Sequence, residues 1–122
     1  MPTEPEPITL FQVVQRAVEV CDPDGADEDV AEFLLRFEDA DEPVTAVAEV
    51  EQRLAETAGT FDPEAENPVL QMTVATATYL AFRRDQLDDD PDELLRLAAR
   101  AEFGNNPPKP VADWLAQSGI DV

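Results

Sequence analysis

Apolar residues recur along this chain at helical spacing, and the repeats are interrupted by short breaks rich in proline, glycine and aspartate. Thr9 can cap a first helix running to about Cys21. Leu10, Val13, Val14, Ala17, Val18 and Cys21 share its inner face, Phe11 and Val20 widen it, and Gln12, Gln15, Arg16 and Glu19 fall elsewhere. The break Asp22-Pro-Asp-Gly-Ala26 precedes a second helix capped by Asp27, with Val30, Phe33, Leu34 and Phe37 as its buried stripe. A third helix is predicted from Pro43 at its first position, turning Val44, Val47, Ala48, Leu54 and Ala58 inward. Gly59 is expected as its left-handed stop, with Phe61 folded back over the last turn.

The stretch Pro68–Phe82 carries no formal charge and stands out for that. Asn67 followed by Pro68 reads as cap and first position of a central helix, expected to run to about Gln86 through Arg83, Arg84 and Asp85. Residues 70 to 80 also alternate as a buried strand would. The Asn-Pro start, the length and the lack of a second strong strand to pair with its backbone favour helix. Asp62–Glu66 resembles a single helical turn before it. Asp90 and Glu93 have the spacing of a capping box, with Pro91 between them at the first position of the next helix. Leu94, Leu97, Ala98 and Ala101 are its inner stripe, Leu95 lies at the edge, and Gly104 ends it. The run 105–110, with three prolines, is expected to cross the surface as an extended strap. A short last helix, about 111 to 117, carries Val111, Trp114 and Leu115, with Ile120 tucked back beyond Gly119.

The predicted fold is therefore all-α: one bundle of five or six helices around a buried central helix at about 68–86. Residues 1–7, where proline alternates with acids, form a loose arm, and 8–122 form a single domain. No internal repeat divides the chain.

Charge sets the function classes. Twenty-eight acids face eight bases, a net charge of -20, and Lys109 is the one lysine. Such a surface repels phosphate and anionic lipid, so direct nucleic-acid or membrane binding is not expected. The 43% of hydrophobic residues supply a core, which argues against disorder. The N-terminus lacks the basic and apolar regions of a secretory signal and no apolar run reaches bilayer length, so the expected compartment is the cytoplasm. Mutual repulsion suits a monomer or weak homodimer.

Enzymatic chemistry is poorly supplied. Without histidine, the serine, cysteine and zinc constellations that rely on imidazole are missing. Four scattered glycines make no phosphate loop. The acids at 22–29 fail as a calcium loop: Gly25 comes too early, Ala26 holds a ligand position and Phe33 the closing one. Cys21 reads as a core residue, and Thr73, Thr76 and Thr78 as hydroxyls bonded one turn back. No cofactor or metal is implied.

Three functional readings remain. The first is a non-enzymatic adaptor that docks a basic protein partner through the acidic segment Glu19–Glu66, which holds seventeen acids against Arg36 and Arg53. Its candidate contacts are Asp27, Glu28, Asp29, Glu32, Glu38, Asp39, Asp41 and Glu42. The second is imitation of nucleic acid, inhibiting a DNA-binding protein. The third is a small-ligand or cation pocket beside the central helix at Met72, Thr76 and Tyr79.

Overall fold

A computed structural model describes residues 8–44, 49–59, 67–83, 86–104 and 106–120. Among them six helices form: α1 (Leu10–Cys21), α2 (Glu28–Leu35), α3 (Val50–Ala58), α4 (Pro68–Phe82), α5 (Pro91–Phe103) and α6 (Lys109–Gln117). The predicted arm at 1–7, Val47, Ala48, Phe61, the turn at 62–66, Arg84 and Asp85 lie outside the described residues.

The start of α1 leaves backbone donors that must be satisfied from outside the helix. Thr9 and Gln12 form a full capping box: the Gln12 amide donates to Thr9 Oγ1 (3.1 Å) and the Thr9 amide to Gln12 Oε1 (2.8 Å). The next donors reach across the chain, Leu10 to the Glu42 carbonyl (3.1 Å) and Phe11 to the Ala40 carbonyl (2.9 Å). Val44 donates back to Ile8 (2.9 Å), closing an isolated antiparallel bridge between Thr9 and Pro43. This bridge corrects the predicted start of the third helix. Pro43, which has no amide hydrogen, occupies an extended position rather than a first helical turn, and α3 starts at Val50. Glu49 enters α3 at φ 53°, a left-handed conformation unusual for a residue with a Cβ, and caps nothing with its side chain. Gly59 is not the left-handed stop expected either; its φ is -67°.

Helix α4 is the centre. α1 and α5 make its most extensive contacts, and α2, α3 and α6 also reach it. Leu70, Met72, Thr73, Ala75, Thr76, Ala77, Leu80 and Ala81 are buried and cover about two thirds of its circumference, leaving a strip on which Gln71 and Phe82 are exposed and Val74 and Thr78 half-buried. The helix stops at Phe82, short of the predicted end near Gln86. Arg83 leaves helical geometry at φ -126°, ψ 61°, and its amide closes the last turn on the Tyr79 carbonyl (2.9 Å). Small side chains recur in the elements around it: Ala17 on α1 and Ala98 and Ala99 on α5 are buried with Ala75, Ala77 and Ala81. Alanine at a crossing lets helix axes approach closely.

Three further local predictions are corrected. Asp90 caps α5 through the Asp92 amide (3.0 Å), while Glu93 pairs with Arg96 instead of closing a capping box. The inner face of α5 is Leu94, Leu95, Ala98 and Ala99, so Leu97 is half-buried and Ala101 exposed. α6 starts at Lys109 with Pro110 in its first turn, which shortens the strap. Its end is a Schellman motif: Gly119, at φ 77°, donates to Ala116 (3.1 Å) and Ile120 to Leu115 (2.9 Å), turning Ile120 into the core.

Arg16, which falls off the predicted inner face of α1, clamps the α4–α5 connection to that helix. Its Nε donates to the Leu87 carbonyl (2.8 Å) and its Nη2 to the Asp89 carbonyl (3.0 Å). Charged donors on backbone acceptors are worth about 1.5–3 kcal/mol each pair. Arg16→Ala should therefore lower the unfolding free energy by about 2 kcal/mol in urea denaturation, and Arg16→Lys should recover only part of it, because one ammonium cannot reproduce the fork.

Candidate functional site

The acidic candidates divide into those engaged within the fold and those free of it. Asp27 caps α2 by accepting from the Val30 amide (3.1 Å). Asn67, while capping α4 through the Leu70 amide (3.1 Å), donates Nδ2 to Asp27 Oδ1 (3.1 Å) and Asp29 Oδ2 (3.3 Å). One amide thus ties the starts of α2 and α4 together, and Asp27 and Asp29 are half-buried beside it. Glu32 pairs with Arg36 (3.4 Å) and Glu42 with Arg53. Glu28, Glu38, Asp39 and Asp41 are exposed, and none of them bonds another side chain among the described residues.

Leu35 lies among these acids and is 63% exposed. At helical spacing it falls one turn from Ala31 and Glu32 and opposite the buried Phe33 and Phe37, whose rings meet edge-on at 5.1 Å. The turn after α2 continues helically, the Glu38 amide donating to the Leu35 carbonyl (3.1 Å), so Glu38 and Asp39 follow Leu35 around the same side. Sequence reasoning left Leu35 without a role. Its absence from the Val30, Phe33, Leu34 and Phe37 stripe is the signal that could have found it.

Two of the three threonine hydroxyls of α4 are satisfied within the core, whereas half-buried Thr78 makes no side-chain hydrogen bond among the described residues, contrary to expectation. Thr73 Oγ1 donates to the Val69 carbonyl one turn back (2.8 Å), as expected. Thr76 differs, since its Oγ1 meets Cys21 Sγ at 3.5 Å across the α1–α4 contact. Of the predicted pocket residues, Met72 and Thr76 are fully buried, and Tyr79 is half-buried with its hydroxyl donating to Gln86 Oε1. Tyr79 alone of the three lines a cleft of about 360 Å³ on the surface. This cleft is bounded by Glu51 of α3, by Ala75, Thr78, Tyr79 and Phe82 of α4, by Arg83, and by Ala101 and Glu102 of α5. Phe82 is 61% exposed there, on the open strip of α4 that also carries exposed Gln71.

Among the described residues no group of three or more carboxylate or thiol side chains is arranged to hold a metal ion. Nor is any helix among them long and apolar enough to cross a membrane. A scan against protein-family models finds no match, and comparisons with curated proteins and with solved structures find none either.

Burial pushes the Cys21 thiol up from 9.0 to about 11; the Thr76 and Thr73 hydroxyls oppose the rise and the Asp22 charge adds to it. Such a thiol is a poor nucleophile. Below the unfolded pKa it is neutral in both states and its contribution to stability is fully present. As pH climbs from 9.0 towards about 11 the unfolded chain ionises first, and stability falls by up to about 3 kcal/mol. Urea midpoints measured at about pH 8 and about pH 10.5 should show this loss in the native protein and a smaller one in Cys21→Ala. Equal losses in both would contradict it.

Proposed function

We propose that this chain is a non-enzymatic docking domain for a basic protein, engaged through the outer side of α2 and the turn that follows it. The observation that carries the reading is Leu35, exposed in the middle of Glu28, Glu32, Glu38 and Asp39. Carboxylates steer a basic partner and raise its on-rate, while an apolar side chain within them gives the complex something to desolvate. Asp27 and Asp29 belong to the fold rather than to the contact, since their carboxylates tie the starts of α2 and α4 together, and Glu42 is engaged by Arg53. Arg36 beside Leu35 is paired with Glu32, so it adds little repulsion. The central apolar residue favours docking over imitation of nucleic acid, because a phosphate backbone has no counterpart to it.

The charge balance supports the same reading. Among the described residues Arg16, Arg36, Arg53, Arg96 and Lys109 each pair with a neighbouring acid, and the chain has only eight bases for its 28 acids. Exposed pairs of this kind contribute little to stability, so the excess acid is free to act at long range.

A fluorescent amphipathic peptide, with arginines on one face and leucines on the other, tests the proposal by anisotropy. Binding should weaken steeply with added salt, since the Debye length falls from about 10 Å at 0.1 M to about 3 Å at 1 M. Leu35→Ser should weaken it about tenfold at unchanged charge, and Glu28→Gln with Glu38→Gln and Asp39→Asn should mainly slow association. Binding indifferent to Leu35→Ser would overturn the reading. If a peptide of equal charge without leucines bound equally well, imitation of nucleic acid would be favoured instead.

A further inference from the structure

The cleft between α3, α4 and α5 has a chemistry distinct from the α2 surface. Its volume of about 360 Å³ lies at the lower end of the range that small-ligand sites occupy, and it accommodates one long side chain with room to spare. Tyr79 and Phe82 stand three residues apart on α4, where helix geometry makes them neighbours, and both line it. Glu51 from α3 and Glu102 from α5 bring carboxylates from the two flanking helices. Both are exposed, and neither forms an ion pair or side-chain hydrogen bond among the described residues. Ala75 and Ala101 keep the space between them open.

An exposed Phe82 ring beside the half-buried Tyr79 ring, flanked by carboxylates, selects for a cation. The ring face is negative and the carboxylates add charge, so an anion is repelled and a neutral apolar group leaves the acids unused. Among cations, a guanidinium fits best, because it is planar, stacks on a ring and offers a fork of donors to a carboxylate. Its aliphatic stem suits the alanine walls. Arg83 at the edge opposes a cation but is outnumbered by the two acids.

We propose that this cleft takes an arginine side chain of the partner protein. The proposal rests on the reading that the partner is basic, and it adds a second point of contact separate from Leu35.

The probe is N-acetyl-arginine amide, titrated while backbone amide shifts are followed by NMR, with the citrulline analogue as the uncharged isostere. Shifts should concentrate at Ala75, Thr78, Phe82 and Ala101 and be absent with citrulline. Phe82→Ala should weaken binding about threefold, as expected for one exposed cation–ring contact, without loss of folding because the side chain is exposed. Glu51→Gln with Glu102→Gln should weaken it about tenfold, and Arg83→Gln should strengthen it about twofold. Shifts spread evenly over the acidic surface, and unaffected by Phe82→Ala, would overturn the proposal by showing simple counter-ion attraction. Leu35→Ser should leave this titration unchanged. Failure here with leucine-dependent peptide binding intact would sink the cleft alone, and the reverse would sink the α2 surface alone.

Discussion

Burial of α4 on about two thirds of its circumference is the constraint on which the rest of the molecule depends. A helix with so wide an apolar face has to be covered from several directions at once. α1 and α5 supply most of that cover, and α2, α3 and α6 the remainder. The price is paid in side-chain choice: alanines at the crossings, and threonines whose hydroxyls find Val69 and Cys21 instead of water. Both ends of α4 are fixed by long-range bonds to other elements. Asn67 joins its start to Asp27 and Asp29, and Arg16 holds the connection beyond its end through Leu87 and Asp89.

The charge follows from the same arrangement. With the apolar residues drawn inward around α4, the acids are left on the outer sides of the other helices, and the few bases are placed singly beside them. The surface therefore has one dominant sign, and the places where an apolar side chain breaks it are conspicuous. Among the described residues, Leu35 and Phe82 are those places. Leu35 lies on the outer face of α2, and Phe82 on the strip of α4 that the other helices leave open.

Much of the fold was legible because its signals are local. Thr9, Asp27 and Asn67 cap the helices they were expected to cap, and the apolar run at 68–82 forms a helix. The misreadings arise where a distant partner decides. Pro43 has the credentials of a helix start, yet the unsatisfied amides of α1 draw residues 40–44 alongside it. Periodicity places Arg16 only off the inner face of α1, and its carbonyl partners are more than seventy residues away in the chain. The face of α5 was misjudged because alanines on either side of it read alike, and only packing against α4 selects Ala98 and Ala99. Of the site, the acidic segment was visible in composition, whereas Leu35 and Phe82 gained meaning only from exposure, and the cleft from three helices meeting.

Native-state hydrogen exchange tests the central role of α4 most directly. If every other helix depends on it, the amides of Met72 through Leu80 should exchange only through global unfolding, with protection equal to the full unfolding free energy, and α1 and α5 amides should approach that limit. The outer turns of α2 and α3 should exchange through smaller openings. If α4 amides exchanged faster than those of α1 and α5, the helix would be an inserted element rather than the support for the others, and the account given for this fold would be contradicted.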